Sequence, residues 1–132
     1  MFANEQQEKM DRGTIQTLQL ERLKKIVDWA YEKSAFYRCS FDAAGIKPKD
    51  IATLADIQKL PFLTLEEINR TDAQDFLTLP MSGIVRLNQV DEIGGSSATK
   101  FYTQGDVIQN VEMMVRCLVA ADITRASVVG LQ

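Results

Sequence analysis

Apolar residues return at every third or fourth position from 14 to 37: Ile15, Leu18, Leu23, Ile26, Val27, Ala30 and Tyr31. That period places them on one stripe of a helix. Glu21, Arg22, Lys24, Lys25, Asp28, Glu32 and Lys33 fill the positions between and read as its solvated face. A second stripe, Val107, Ile108, Val111, Met114, Val115, Leu118 and Val119, predicts another long helix. Thr103 stands at its start as a cap, and Met114 is expected to face inward with Val111 and Leu118.

Shorter elements lie between. Residues 40–46 read as a helical turn stopped near Gly45, where glycine takes a left-handed conformation. Pro48 pushes Lys47 toward extended geometry. Thr53 precedes Asp56 by three residues and Thr64 precedes Glu67 by three, the spacing of a hydroxyl cap answered by a carboxylate. Short helices are predicted over 54–59 and 65–70, parted by Pro61. Residues 70–82 read as a loop with Phe76, Leu77 and Leu79 tucked inward.

After Gly83 the pattern changes. Ile84, Val85 and Leu87 predict a short strand, residues 100–103 a second, and the apolar run 126–131 a third. Strand, helix and strand in that order fit a parallel crossover. The expected class is α/β: a helical subdomain over 1–82, with about five helices in all, then the start of an incomplete strand-helix-strand unit over 83–132. A sheet cut off there leaves an open edge needing a partner.

Composition narrows the chemistry. A net charge of −3 argues against nucleic-acid binding, which needs a basic surface. No apolar run reaches the length of a membrane span, and the polar N-terminus lacks a signal-peptide core, so a cytoplasmic location is expected. The chain has no histidine, which removes Ser-His-Asp and Cys-His catalysis and most zinc sites. No catalytic or metal-ligating set is expected. Cys39 and Cys117 share no ligand spacing and read as reduced thiols in or near the core. Asp50, Asp56, Glu66, Glu67, Asp72 and Asp75 are explained by capping and solubility, and Trp29, Tyr31, Phe36 and Tyr37 by core packing.

Several fragments, taken in order, carry a resemblance. Leu20-Glu21-Arg22-Leu23-Lys24 precedes Tyr31, Phe36-Tyr37-Arg38, Phe41-Asp42 and Gly45-Ile46. Pro48-Lys49-Asp50-Ile51, Asp56-Ile57 and Lys59-Leu60-Pro61-Phe62 follow, then Val85-Arg86, Tyr102-Thr103 and Asp106, and finally Val115-Arg116 with Ala120-Ala121. The set resembles the N-terminal region of phenylacetate–CoA ligase-like, adenylate-forming enzymes. The resemblance implies ATP and Mg²⁺ as cofactors, and an aryl or acyl carboxylate and coenzyme A as substrates. Members of that family are much longer, and their aryl pocket, nucleotide contacts and catalytic lysine lie downstream. This chain is therefore expected to lack turnover alone and to need a C-terminal ligase segment or a second copy of itself.

The family's phosphate loop, SSGTTGKP, belongs between Arg86 and Thr103. In such a loop glycines let backbone N–H groups close around an anion, and hydroxyls and a lysine add contacts. Without gaps it falls on 90–97, reading VDEIGGSS, with Asp91 and Glu92 in place of a serine and a glycine. A shifted alignment uses Gly94, Gly95, Ser96, Ser97, Thr99 and Lys100 as a degenerate loop with weak phosphate binding. Asp122 and Ser127 depart further, standing where the family has a glycine and an aspartate.

Overall fold

The computed structural model describes residues 3–91 and 97–130, with the backbone alone at 90, 91, 97 and 98. The chain opens with α1 (Glu5–Glu8) and α2 (Arg12–Lys33). Asp11 caps α2 by accepting from the Thr14 N–H at 3.0 Å.

The helix expected over 14–37 breaks at Ser34, and α3 (Ala35–Ala43) begins immediately after. Ser34 adopts extended geometry with φ −104° and ψ 126°. It ends one helix by donating its N–H to the Ala30 carbonyl at 3.1 Å. It starts the next by accepting from the Tyr37 N–H at 3.4 Å. A serine hydroxyl competes well for such a capping role. The apolar period runs through the break and hides it. Gly45, at φ 69°, closes α3, and the Ile46 N–H returns to the Phe41 carbonyl at 2.9 Å.

Behind α3 the chain wraps in short turns. Pro48–Asp50, Leu54–Lys59, Ala73–Phe76 and Met81–Gly83 are 3₁₀ turns, and α4 (Leu65–Arg70) lies among them. Lys47 is extended before Pro48, as expected. The 54–59 segment is 3₁₀ rather than α-helical. Asp56 N–H bonds the Thr53 carbonyl and Leu60 N–H the Ile57 carbonyl, both at 3.2 Å with three-residue spacing. The α4 span agrees with its expected bounds, and the Thr64–Glu67 capping box is formed.

The core sits where α2, α3 and the first 3₁₀ turn meet. Val27, Phe41 and Ile51 are buried there, with Leu23, Tyr31, Tyr37 and Leu60 packed around them. Phe36 and Tyr37 extend it onto Phe76, with ring centroids 4.5 and 6.2 Å away. Phe76 and Leu77 are half-buried, but Leu79 is exposed. Trp29 is also exposed, and the Lys33 ammonium stands 5.9 Å from its ring. It is not a core residue, because the α2 face it shares with Ile26 has nothing packed on it. Cys39 and Cys117 are free and exposed, a correction to the core position expected for them.

The strands β1 (Arg86–Asp91) and β2 (Ser97–Tyr102) pair antiparallel, with Arg86 opposite Tyr102 and Asp91 opposite Ser97. The class is therefore α/β, a helical region followed by an incomplete strand–helix unit. Residues 126–130 form no strand, since no described strand offers them a ladder, and Val128 is fully exposed. Leu131 lies outside the described residues.

The helix α5 (Gln104–Ala120) follows β2 directly, started by a Thr103–Asp106 capping box. Its apolar stripe is uncovered. Ile108, Val111 and Met114 are each 58–60% exposed, and Val115 and Leu118 are exposed as well. The inward position expected for Met114 is thus not observed, because the described residues supply no layer beneath it. Arg116 ties α5 back to α1 through an ion pair with Glu8 at 3.5 Å. No described helix is long and apolar enough to cross a membrane.

Candidate functional site

The hairpin leans on the helical region and leaves a cleft. One cavity of about 470 Å³ is walled by Tyr37, Phe76, Ile84 and Phe101, with Thr99 and Lys100 of β2 at its polar side. A second, of about 490 Å³, continues past Thr103 and Asp106 toward α2 and shares Tyr37, Thr78 and Leu79 with the first.

Of the candidate phosphate-loop residues, Gly94, Gly95 and Ser96 lie outside the described residues. Ser97 opens β2, its backbone opposite Asp91. Thr99 pairs with Gln89 and Lys100 with Asn88 across the ladder. Thr99 is half-buried and Lys100 exposed, and both line the larger polar mouth of the cleft. The two ends of the interval meet: Arg86 is opposite Tyr102, and the Val85 N–H donates to the Tyr102 carbonyl at 2.9 Å.

The charges at this end do not match a triphosphate. Lys100 is the one cation on the cavity wall, while the sequence places Asp91 and Glu92 at the hairpin end. Two carboxylates within a few residues oppose a multiply charged anion more than one exposed lysine favours it. Asp106 carries a further negative charge. Its carboxylate accepts from the Thr103 N–H at 2.8 Å and the Thr103 hydroxyl at 2.7 Å. Those bonds, the backbone one first, hold its carboxyl below the usual range. No group of three or more metal-ligating side chains gathers among the described residues. The residues present therefore do not fit Mg·ATP, and no chemical step through it is assigned to them.

A second polar cluster lies away from the cleft. The Tyr31 hydroxyl donates to Asp42 at 2.8 Å, and the Lys47 ammonium donates to the Tyr31 hydroxyl at 2.7 Å and to Asp42. The bond from Lys47 lowers the Asp42 carboxyl, and the same bond raises Lys47. Each charged group is held in its charged form, so the cluster clamps the turn after α3 to α2 and offers neither a base nor a nucleophile. Sequence reading had placed Tyr37 and Phe76 only in packing roles. Their part in the cleft wall depends on the 37-to-76 contact, for which the chain carries no local signal.

The chain is 35% identical over 107 residues to the phenylacetate–coenzyme A ligase of Escherichia coli K12. It is homologous to the phenylacetate–coenzyme A ligases. That match covers 81% of this chain and 24% of the E. coli enzyme. The phenylacetate–coenzyme A ligase of Thermus thermophilus is 30% identical over 114 residues, 86% of this chain and 26% of its own length. The chain thus spans about a quarter of the curated relatives it matches. No family model matches it.

Solved structures agree on the fold. A 2-hydroxyisobutyryl-CoA ligase in the postadenylation state with 2-HIB-AMP superimposes with a TM-score of 0.76 at 20% identity, over 86% of this chain and 25% of that one. The same enzyme with 2-HIB-AMP and CoA gives 0.72 at 20% identity, over 81% and 24%. The hairpin, α5 and the helical region are therefore arranged as in part of an acyl-CoA ligase of the adenylate-forming superfamily.

Proposed function

We propose that this chain forms the N-terminal part of an AMP-forming ligase that joins an aryl or acyl carboxylate to coenzyme A. The overall reaction is carboxylate, ATP and CoA to acyl-CoA, AMP and pyrophosphate. The observation that carries this reading is the 35% identity over 107 residues to a phenylacetate–coenzyme A ligase. The thin core supports it: an uncovered apolar stripe on α5 is what remains when a helix belongs beneath further layers of a larger body. Residues 1–82 act as a helical subdomain and 83–132 as the start of the nucleotide-handling sheet unit, in a cytoplasmic enzyme that uses ATP and Mg²⁺. By itself the chain makes no acyl-CoA.

A second reading has one specific observation in its favour. Asp91 and Glu92 stand in the phosphate-loop interval, which suits a homo-oligomerising or interaction module that keeps the scaffold without its chemistry. A chimera separates the two. The chain replaces its matched stretch in the E. coli ligase, and acyl-CoA formation is measured with and without Asp91→Ser and Glu92→Gly. Turnover in the unmodified chimera supports the ligase part. Turnover only after the two substitutions supports the scaffold. A folded chimera that is inactive both ways overturns the ligase reading.

A further inference from the structure

The cleft has a property that the phosphate-loop comparison does not explain: it is an apolar trough with one uncommitted cation at its mouth. Its two cavities, about 470 and 490 Å³, share Tyr37, Thr78, Leu79, Thr103 and Asp106, so they form one trough between the helical region and the hairpin. Each is within the roughly 300–1,000 Å³ typical of small-molecule sites.

The polar inventory of the first cavity is short. Lys100 and Asp106 are its only charged residues. The Asp106 carboxylate is taken up by Thr103. Lys100 has neither an ion pair nor a hydrogen bond to any described residue. The hydroxyls of Tyr37 and Tyr102, both residues of the cavity wall, also lack a hydrogen-bond partner among the described residues. Burial pushes the Tyr37 phenol up, which keeps it protonated and able to donate. Around these donors stand the side chains of Phe76, Ile84, Ile68 and Leu77.

We infer that this trough binds a small monoanionic organic acid with an aryl or alkyl body, its acid group held by Lys100 and its body laid against Phe76 and Ile84. One cation with neutral donors matches a single negative charge, whereas a di- or triphosphate would exceed it. The apolar wall rewards a ligand with surface to bury. The inference does not depend on the ligase reading, because it concerns binding in the absence of ATP and CoA.

The test is calorimetric titration of the 132-residue chain with phenylacetate, and with phenylacetamide and inorganic phosphate as neutral and apolar-free counterparts. Phenylacetate is expected to bind saturably, and phenylacetamide at least about tenfold more weakly. Lys100→Met, which keeps the stem and removes the charge at an exposed position, should weaken phenylacetate by a similar factor. Ile84→Phe, which fills the trough, should abolish binding while circular dichroism stays unchanged. Absence of saturable phenylacetate binding overturns the inference. Equal affinity for acid and amide, tighter binding of phosphate, or indifference to Lys100→Met does so as well.

Discussion

The Ser34 hydroxyl donates to the carbonyl oxygen of Asp75 at 2.8 Å, across 41 residues of chain. Ser34 is fully buried, the one buried polar side chain among the described residues. Its oxygen also accepts from the Tyr37 N–H, so a single group ends α2, starts α3 and fastens the turn that carries Phe76.

Removing that oxygen leaves two backbone groups short of partners inside the protein. Ser34→Ala should destabilise the chain by about 1–3 kcal/mol. Urea denaturation followed by circular dichroism measures it. Ser82→Ala, at an exposed serine, should stay within about 0.5 kcal/mol of the parent. Equal effects of the two would show that the Ser34–Asp75 bond does not hold the region together.

Gly45 gives a second backbone test. Its φ is 69°, and a Cβ placed there meets nothing within 4 Å. Gly45→Ala should therefore cost about 1 kcal/mol from backbone strain alone, with no packing clash. Thermal unfolding of the pair checks this. A neutral or stabilising substitution would mean that the left-handed turn is not kept in solution.

Acid should weaken the caps in a defined order of sign. Asp106 and Glu67 are each lowered first by the backbone N–H of their capping threonine, and Asp56 chiefly by its bond to Lys59. A carboxyl lowered in the folded state contributes stability that is complete above its unfolded pKa and fades as pH falls through the folded one. Stability should be flat from neutral pH to about 5 and fall below about 4. Thr103→Ala should cost about 1 kcal/mol at pH 7 and flatten part of that acid limb. A stability that rises on acidification between 4 and 2 would contradict the capping account.

The uncovered face of α5 separates stability from assembly. Met114 is 60% exposed, so Met114→Glu should leave the chain's own unfolding within about 0.5 kcal/mol. In the chimera with the E. coli ligase the same substitution should cost at least tenfold in soluble, active enzyme, because a carboxylate would then face a covered apolar layer. An unchanged chimera would show that this face stays in solvent.

The local devices of this fold were legible in the sequence. Thr64 with Glu67 and Thr103 with Asp106 announce capping boxes within four residues, and both form. Gly45 and Lys47-Pro48 announce their turns in the same way. What the sequence hid depends on distant partners. Periodicity marks Val111, Met114 and Leu118 as one stripe but says nothing of what lies beneath it. The break at Ser34 is stabilised by Asp75, far along the chain. The run at 126–130 has strand composition but no described neighbour to pair with. The cleft is of the same kind: Lys100 was legible as a polar site residue, whereas Tyr37 and Phe76 join it only through tertiary packing.

The most direct measurement is carboxylate-dependent ATP–pyrophosphate exchange, run on the chain by itself and on the chimera that carries it in the E. coli ligase. The ligase account expects no exchange from the chain and measurable exchange from the chimera, with phenylacetate as the acid. Exchange by the chain alone, or none from a folded chimera even after Asp91→Ser and Glu92→Gly, would contradict it.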